Sequence, residues 1–468
     1  MVSLFGILNM AGQSLSVETD ASAVTGQNLT NVNNPAYARQ QVNMQTATPL
    51  QTTIGQEGTG VQAVSITEVR DALLDAQITA EDSVSGSLTS QQSALQNAEA
   101  YLNETLSGST SAGTSSPNGL TALFSSFYGS LQTLSADPSN VADRQAVVQA
   151  AQQLAGQFNS VSSGLATVTS NLNTAVSTDV ASANQDLSQI AALNQQIIQA
   201  QAIGGTANDL VDKRQKLIED LAGKANIATS AQTDGAVNVS INGVSMVAGI
   251  STVNSLATYT DAHGNLQVMD GNSSTPITLT GGSIEGEISA RDGAVSTLAS
   301  SINQIASQLM IQFNSVYSTG YDLHGNTGQA FFSGSSAANM AVNAGLISDP
   351  TTFQAAGTTG NPGDNTVVLA LANSANQTIA GLNNQTFTQN YAATVGAFGS
   401  SLQSVNEDLS NSAAVSQMLS TQRSSTSGVD TDTEMTNLLQ FQKAYQASAE
   451  LITTVNQMLE TLLTMKTE

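Results

Sequence analysis

The 468-residue sequence contains no cysteine, which excludes disulfide frameworks, thiolate nucleophiles, iron–sulfur clusters and cysteine zinc sites together. Basic residues are scarce: 11 lysines and arginines stand against 35 acids, a formal charge of −24. Such a chain repels the phosphate backbone that a nucleic-acid binder must neutralise, so nucleic acid and anionic membrane surfaces are poor partners. No run of about 20 apolar residues is present to span a bilayer, so membrane insertion is not expected. The chain begins Met1-Val2-Ser3-Leu4-Phe5-Gly6 and its first basic residue is Arg39. It therefore shows no basic n-region, and the expectation is export, if any, without a cleavable signal peptide.

Only two histidines are present, in the matching frames Asp261-Ala262-His263-Gly264-Asn265 and Asp322-Leu323-His324-Gly325-Asn326. Asp, Gly and Asn at those offsets are what a tight turn needs, because Gly and Asn accept positive φ, and this favours two turns over a metal or acid–base site. Asp430-Thr431-Asp432-Thr433-Glu434 lacks the glycine and the twelfth-position acid of a calcium loop, having Met435 and Phe441 there. Gly55 to Gly60 inverts the spacing of a dinucleotide fingerprint, and Gly281 to Gly286 is one residue too long for a nucleophile elbow. No catalytic residue, cofactor or metal is expected. The residues point to a non-enzyme that presents surfaces.

With 40% hydrophobic and only 10% charged residues, the chain is rich in small neutral side chains and long enough for about three domains. The clearest periodicity runs from Leu154 through Phe158, Val161, Leu165, Val168, Leu172, Val176, Ala183, Leu187, Ile190 and Leu193 to Ile197, in steps of mostly three or four. That is one long amphipathic helix or a helical hairpin. Asp137-Pro138-Ser139-Asn140 marks its start and Gly204-Gly205 its end, before a second helix from Asn208. The mixed charges from Asp209 to Leu221 read as a solvated face with i,i+4 pairs.

Residues 226–282 change to short alternating runs with Asp234-Gly235, Asn242-Gly243 and Asp270-Gly271 between them, a β segment of hairpins. Helical spacing returns at Leu298, Ile302, Ile305, Leu309, Ile311 and Val316. Residues 320–375 are turn-rich, and 107–119 is a Ser/Thr/Gly loop.

Leu4, Leu8, Ala11 and Leu15 form one terminal stripe, and Leu438, Phe441, Tyr445, Ala449, Ile452, Val455, Leu459 and Leu462 form the other. Thr431 to Glu434 fits a capping box at the head of the second. Neither stripe is stable alone in water, so the two ends pack on each other or on copies of the same chain. The fold class expected is mainly α with an inserted β domain (α+β), built from discontinuous domains. These are 1–40 plus 428–468, a terminal helical coiled coil; 41–225 plus 283–427, a central long-helix bundle with short β elements; and 226–282, an outer β-rich insertion.

The run from Thr25 to Val42, with Asn28, Asn31, Pro35, Tyr37 and Arg39, resembles the N-terminal motif of the bacterial flagellar rod, hook and hook-associated proteins. Tyr37-Ala38-Arg39-Gln40 is most similar to the branch that forms the hook–filament junction, with Ala36 where that branch carries glycine. Gly58-Thr59-Gly60-Val61, Val69-Arg70-Asp71, Asn208 to Arg214, Asn314, Gly320 to Gly325, Phe331-Phe332, Asp364-Asn365 and Glu434 to Ser448 follow in the family's order. The resemblance implies a radial layout, with the terminal helices inside and the β insertion outermost. It implies a structural subunit outside the cell, at the junction of hook and filament, exposing an assembly surface for hook-associated protein 3 and then flagellin. The partners implied are copies of the chain, the hook protein, the flagellar type III export apparatus and a cytoplasmic export chaperone on the C-terminal helix. A flagellin-like or hook-like subunit, or a secreted adhesin, are the alternatives; for a glycan-binding adhesin, 226–282 offers only Tyr259 as an aromatic.

Overall fold

The computed structural model describes residues 4–34, 36–52, 55–104 and 119–465. Most of the expected Ser/Thr/Gly loop at 107–119 lies outside them. Helix α1 (Leu4–Thr30) leads into two small antiparallel pairs: β1 (Gln40–Thr46) with β4 (Val61–Glu68), and β2 (Leu50–Thr52) with β3 (Gly55–Glu57). Helices α2 (Ala72–Leu102), α3 (Leu120–Ala136), α4 (Val141–Ala202) and α5 (Asn208–Ala222) follow. Strands β5 (Ile227–Ala231), β6 (Val237–Ile241), β7 (Val244–Ala248) and β8 (Ser251–Thr252) form one antiparallel sheet, and β9 (Leu256–Thr260) pairs with β10 (Leu266–Asp270). Helix α6 (Ser283–Ala290) runs through a π-helical turn into α7 (Ser296–Tyr317). The strands β11 (Phe332–Ser333) and β12 (Ala341–Val342) and the helices α8 (Ala344–Ser348) and α9 (Thr366–Asn373) are short. Two long helices, α10 (Phe387–Ser427) and α11 (Thr431–Met465), complete the chain.

The long central stripe belongs to one helix, α4, which at 62 residues is about 90 Å long. Asn140 caps it, accepting from Ala142 N (2.9 Å) and Asp143 N (3.3 Å). It ends where Gly204 turns to φ +83° and Gly205 N returns to Ala200 O at 2.9 Å. Its single apolar stripe serves two cores. The N-terminal half, Val147 to Leu172, packs with α3, α7 and the first half of α10. The C-terminal half, Val176 to Ile197, packs under α5 and β6, β7, β9 and β10 through Val239, Ile241, Met246, Val247, Leu256 and Val268. The β segment thus flanks α4 as a lateral layer. Its Asn242-Gly243 hairpin turn has φ +46° and +80°, the geometry of a type I′ turn.

The first core is aromatic, and much of it comes from the turn-rich segment. Phe313 lies 4.8 Å from Phe331 and 5.3 Å from Phe127, and Tyr317 lies 5.3 Å from Phe353, measured between ring centroids. Asn314 holds that segment in place: its Oδ1 accepts from Phe331 N and Phe332 N, both at 2.9 Å, and its Nδ2 donates to Phe332 O at 2.8 Å. The buried guanidinium of Arg144 donates to the carbonyls of Pro138 (2.7 Å) and Phe353. Helices α2 and α6 cross so closely that a Cβ on Gly286 would lie 2.2 Å from Ser87 O. Only glycine allows that approach.

Three expectations need correction. Ile311 is exposed, and the buried face of α7 uses Met310 and Phe313 instead, because two residues from Leu309 is about 200° round the helix, on its opposite face. On α5 the pair Lys216–Asp220 (2.5 Å) is the expected exposed i,i+4 contact, yet Asp212 and Arg214 are buried, since that helix is covered on two sides. The cap of α11 is Asp430, whose Oδ1 accepts from Asp432 N (2.9 Å) and Thr433 N (3.1 Å), in place of a Thr431–Glu434 capping box. Glu434 is engaged elsewhere.

The two histidine segments are turns. In each, the aspartate Oδ1 accepts from the histidine N (2.8 Å at both) and from the asparagine N, at 2.9 Å for Asp261–Asn265 and 2.8 Å for Asp322–Asn326. Gly264 and Gly325 supply φ of +85° and +80°.

Candidate functional site

The two terminal helices pack along each other. Ala11 and Val455 are buried at 2% exposure each, and Ser448 Oγ donates to Ser14 Oγ at 3.3 Å. Of the terminal stripe, Leu4, Leu8 and Leu15 on α1 and Leu438, Phe441, Ile452 and Leu459 on α11 are half-buried. Tyr445 and Leu462 are exposed, at 46% and 54%. Val17, Ala21 and Val24 continue the buried face of α1. Their spacing of four and three was the signal for them, overlooked because Glu18, Thr19 and Asp20 stand between. Met458, Leu463 and Met465 are also exposed, so the pair leaves apolar surface uncovered at the C-terminal end.

The motif residues form the joint between this pair and the rest of the molecule. Asn28 is 1% exposed and uses all of its amide. Its Oδ1 accepts from Tyr37 Oη (2.8 Å) and Gln40 N (3.0 Å), and its Nδ2 donates to Gln40 O (2.9 Å) and Glu434 Oε2 (3.1 Å). One buried amide therefore ties α1, the loop after it and the head of α11. Arg39 N donates to Ser427 O and Val69 N donates to Arg39 O, both at 2.8 Å. Asn31 closes the end of α1 through Nδ2 to Gln27 O at 3.0 Å. Pro35 lies outside the described residues.

Helix α5 meets the same loop. Asp209 Oδ1 accepts from Gln27 Nε2 (2.9 Å) and Gln40 Nε2 (3.3 Å), Asp212 Oδ1 accepts from Ala38 N (3.4 Å), and Asn208 Nδ2 donates to Ile66 O (3.2 Å). Arg70, at the end of β4, pairs with Glu68 (3.2 Å), Asp75 (3.0 Å) and Asp212. Arg423 on α10 pairs with Glu219 at 2.9 Å. Burial pushes Asp82 up to about 6, with the Glu219 charge adding to the effect. Burial, then the charges of Asp212, Asp209, Glu68 and Glu434, push the Tyr37 hydroxyl well up, so it stays a donor to Asn28. Two clefts flank the loop. One, of about 590 Å³, opens toward α2 and α10 beside Glu81 and Arg423; the other, of about 670 Å³, opens toward α4 and α5 beside Leu193, Lys213 and Leu217.

Among the described residues, no cluster of three or more His, Cys, Asp or Glu side chains is arranged to hold a metal, and no helix is long and apolar enough to cross a membrane. What the arrangement offers is structural: a pair of long helices, held at one end by a polar joint.

The family profile described as flagellar hook-associated protein FlgK helical domain matches residues 110–332, and the one described as flagellar basal body rod FlgEFG protein C-terminal matches 420–465. The flagellar hook-associated protein 1 of Bacillus subtilis is 28% identical over 99% of this chain and 98% of its own length. Over nearly its whole length the chain is similar to flagellar hook-associated protein 1. The Salmonella typhimurium member is 29% identical over 70% of this chain, which spans only 59% of that relative's length. The flagellar hook junction protein FlgK from Burkholderia pseudomallei shares the fold, with a TM-score of 0.63 and 15% identity over 75% of this chain and 100% of that one. Proteins of that name are flagellar components, and this chain's own fold is mainly helical with small β sheets.

Proposed function

We propose that the chain is a structural subunit of the bacterial flagellum that forms the zone joining hook to filament. The observation that carries this is the similarity to flagellar hook-associated protein 1 over nearly the whole chain, combined with a packed pair of terminal helices that keeps Tyr445, Met458, Leu462 and Leu463 exposed. An apolar face on a long helix, next to one already covered, is the kind of surface that copies of one chain bury against each other. Residues 1–40 with 428–468 form the inner, polymerising layer; 41–225 with 283–427 form the helical body; and 226–282 form the exposed insertion.

The chain docks on the hook protein at one side and offers hook-associated protein 3, and then flagellin, the surface on which they add. It assembles outside the cell after passage through the flagellar type III export apparatus. A cytoplasmic chaperone covers the C-terminal stripe before export, because Leu438 to Leu463 would otherwise associate early. Its role is mechanical and not enzymatic. Nothing in the joint or the insertion favours the adhesin or filament-subunit readings.

Deleting the gene tests the proposal. The expected phenotype is cells with hooks but no filaments that release unpolymerised flagellin into the medium, restored by the wild-type chain. Normal filaments in the deletion strain would overturn it.

A further inference from the structure

The joint holds more carboxylates than its cations pair. Arg70 offers Nε and Nη2, the two donors on one edge of its fork, to Glu68 Oε2 (3.2 Å) and Asp212 Oδ1, and Nη1 to Asp75 Oδ2 (3.0 Å). Asp75 has a second guanidinium within reach, Arg423 Nε at 4.0 Å. Glu68 and Asp212 have Arg70 alone among the salt-bridge partners of the described residues. Their remaining oxygens, Glu68 Oε1 and Asp212 Oδ2, are closed off from solvent and have no hydrogen-bond partner. Two buried carboxylates on one guanidinium edge leave a surplus negative charge and two bare acceptors. One proton on the pair removes the surplus charge and gives one of the two carboxyls a donor.

We propose that Glu68 and Asp212 hold one proton in common, and that this makes the contact of β4 with α5 a pH-dependent latch at the base of the terminal helices. The charged and titratable groups around the pair are Arg70 and Asp75 before and within α2, Asp209 and Arg214 on α5, Tyr37 in the loop after α1, and Glu434 on α11. Their balance favours the proton. Burial, reinforced by Asp212, pushes Glu68 up to about 7 against the pull of Arg70. Burial likewise pushes Asp212 up to about 6, with Arg70 and the Ala38 N–H opposing and Asp209 adding.

Both groups bind protons more tightly folded than unfolded. The contact is therefore complete in acid and weakens as the pH rises through about 6 to 7. On opening, the shared proton leaves to solvent and two like charges face each other. Asp212 also accepts the Ala38 N–H at 3.4 Å, so opening removes one of the bonds that hold the loop after α1, leaving those of Asn28 and Ser427 in place. This inference stands apart from the assembly reading, since it concerns the single chain.

Hydrogen–deuterium exchange of the full chain, corrected for intrinsic rates, tests it at about pH 5.5 and about pH 8, on either side of the titration. The amides of residues 208–222 should lose about tenfold in protection at the higher pH relative to those of α7, one pKa unit being a factor of ten. In Glu68→Gln the amide donates at every pH, so protection should be the same at both; Asp212→Asn serves the same purpose if the first variant does not fold. A wild-type chain with equal protection at the two values would overturn the proposal. So would a folded variant of either kind that keeps the wild-type difference.

Discussion

Asn28 Nδ2 and Glu434 Oε2 meet at 3.1 Å across 406 residues of sequence, inside a site from which water is excluded. Glu434 is 3% exposed, and the Asn28 amide is its hydrogen-bonding partner within the protein at that distance. Replacing Asn28 by Ala leaves the Tyr37 hydroxyl, both backbone groups of Gln40 and a buried carboxylate short of partners. The expected loss is about 3 kcal/mol or more, from unsatisfied buried groups costing about 1–3 kcal/mol each. Asn31→Ala, at a half-buried helix end, should cost less than about 1 kcal/mol. Denaturant unfolding of both variants measures the difference.

Ile452 and Val455 face α1, whereas Tyr445 and Leu462 face away from it. Val455→Asp should separate the terminal pair within one chain, because burying an apolar side chain contributes about 1.5–3 kcal/mol and an unpaired carboxylate cannot replace it. Leu462→Asp should leave the monomer's unfolding curve unchanged and abolish self-association. Circular dichroism with analytical ultracentrifugation separates these outcomes.

Glu287 on α6 is buried with Oε2 unpartnered. Burial, then the Asp179 charge, push its carboxyl up to about 8 against the pull of Arg291. The folded chain therefore holds a proton there that the unfolded chain releases, and stability falls as pH rises from the usual carboxylate range toward about 8. Glu287→Gln removes that loss. Its melting temperature should match wild type in acid and exceed it above about pH 8, by the equivalent of about 1–3 kcal/mol.

Arg144 satisfies carbonyls on both sides of the aromatic core, at Pro138 and Phe353. Arg144→Met should destabilise that core by about 3 kcal/mol, the upper range for hydrogen bonds to a charged group. Arg144→Lys should recover less than half, since an ammonium cannot reproduce the planar fork. Near-ultraviolet circular dichroism of the surrounding Phe and Tyr residues reports the loss directly.

How much of this was legible in the sequence follows from which interactions leave a periodic trace. The stripe of α4 is visible because its apolar positions repeat over many turns, and the cap at Asn140 and the break at Gly204 are local chemistry. The turns at His263 and His324 are equally local. The face of α10 was not legible, because Ser412 and Ser427 are buried on it among Phe398, Leu402 and Leu419, and small polar residues do not mark a core. The aromatic core was missed for a related reason: Phe331, Phe332 and Phe353 sit in irregular segments, where burial comes from contacts far away in sequence. At the joint, the motif residues Asn28, Tyr37 and Arg39 were identified by resemblance, but the burial of Asp212 and the turn of Glu434 toward Asn28 depend on three elements meeting. Charge at helical spacing looks the same whether a neighbour covers it or not.

The central claim is that the chain occupies the boundary between hook and filament. Immunogold electron microscopy of intact flagella, with an antibody raised against residues 226–282, tests it most directly. The account predicts a narrow band of label where hook meets filament. Label along the whole filament, or none on flagella whose antibody recognises the purified chain, would contradict it.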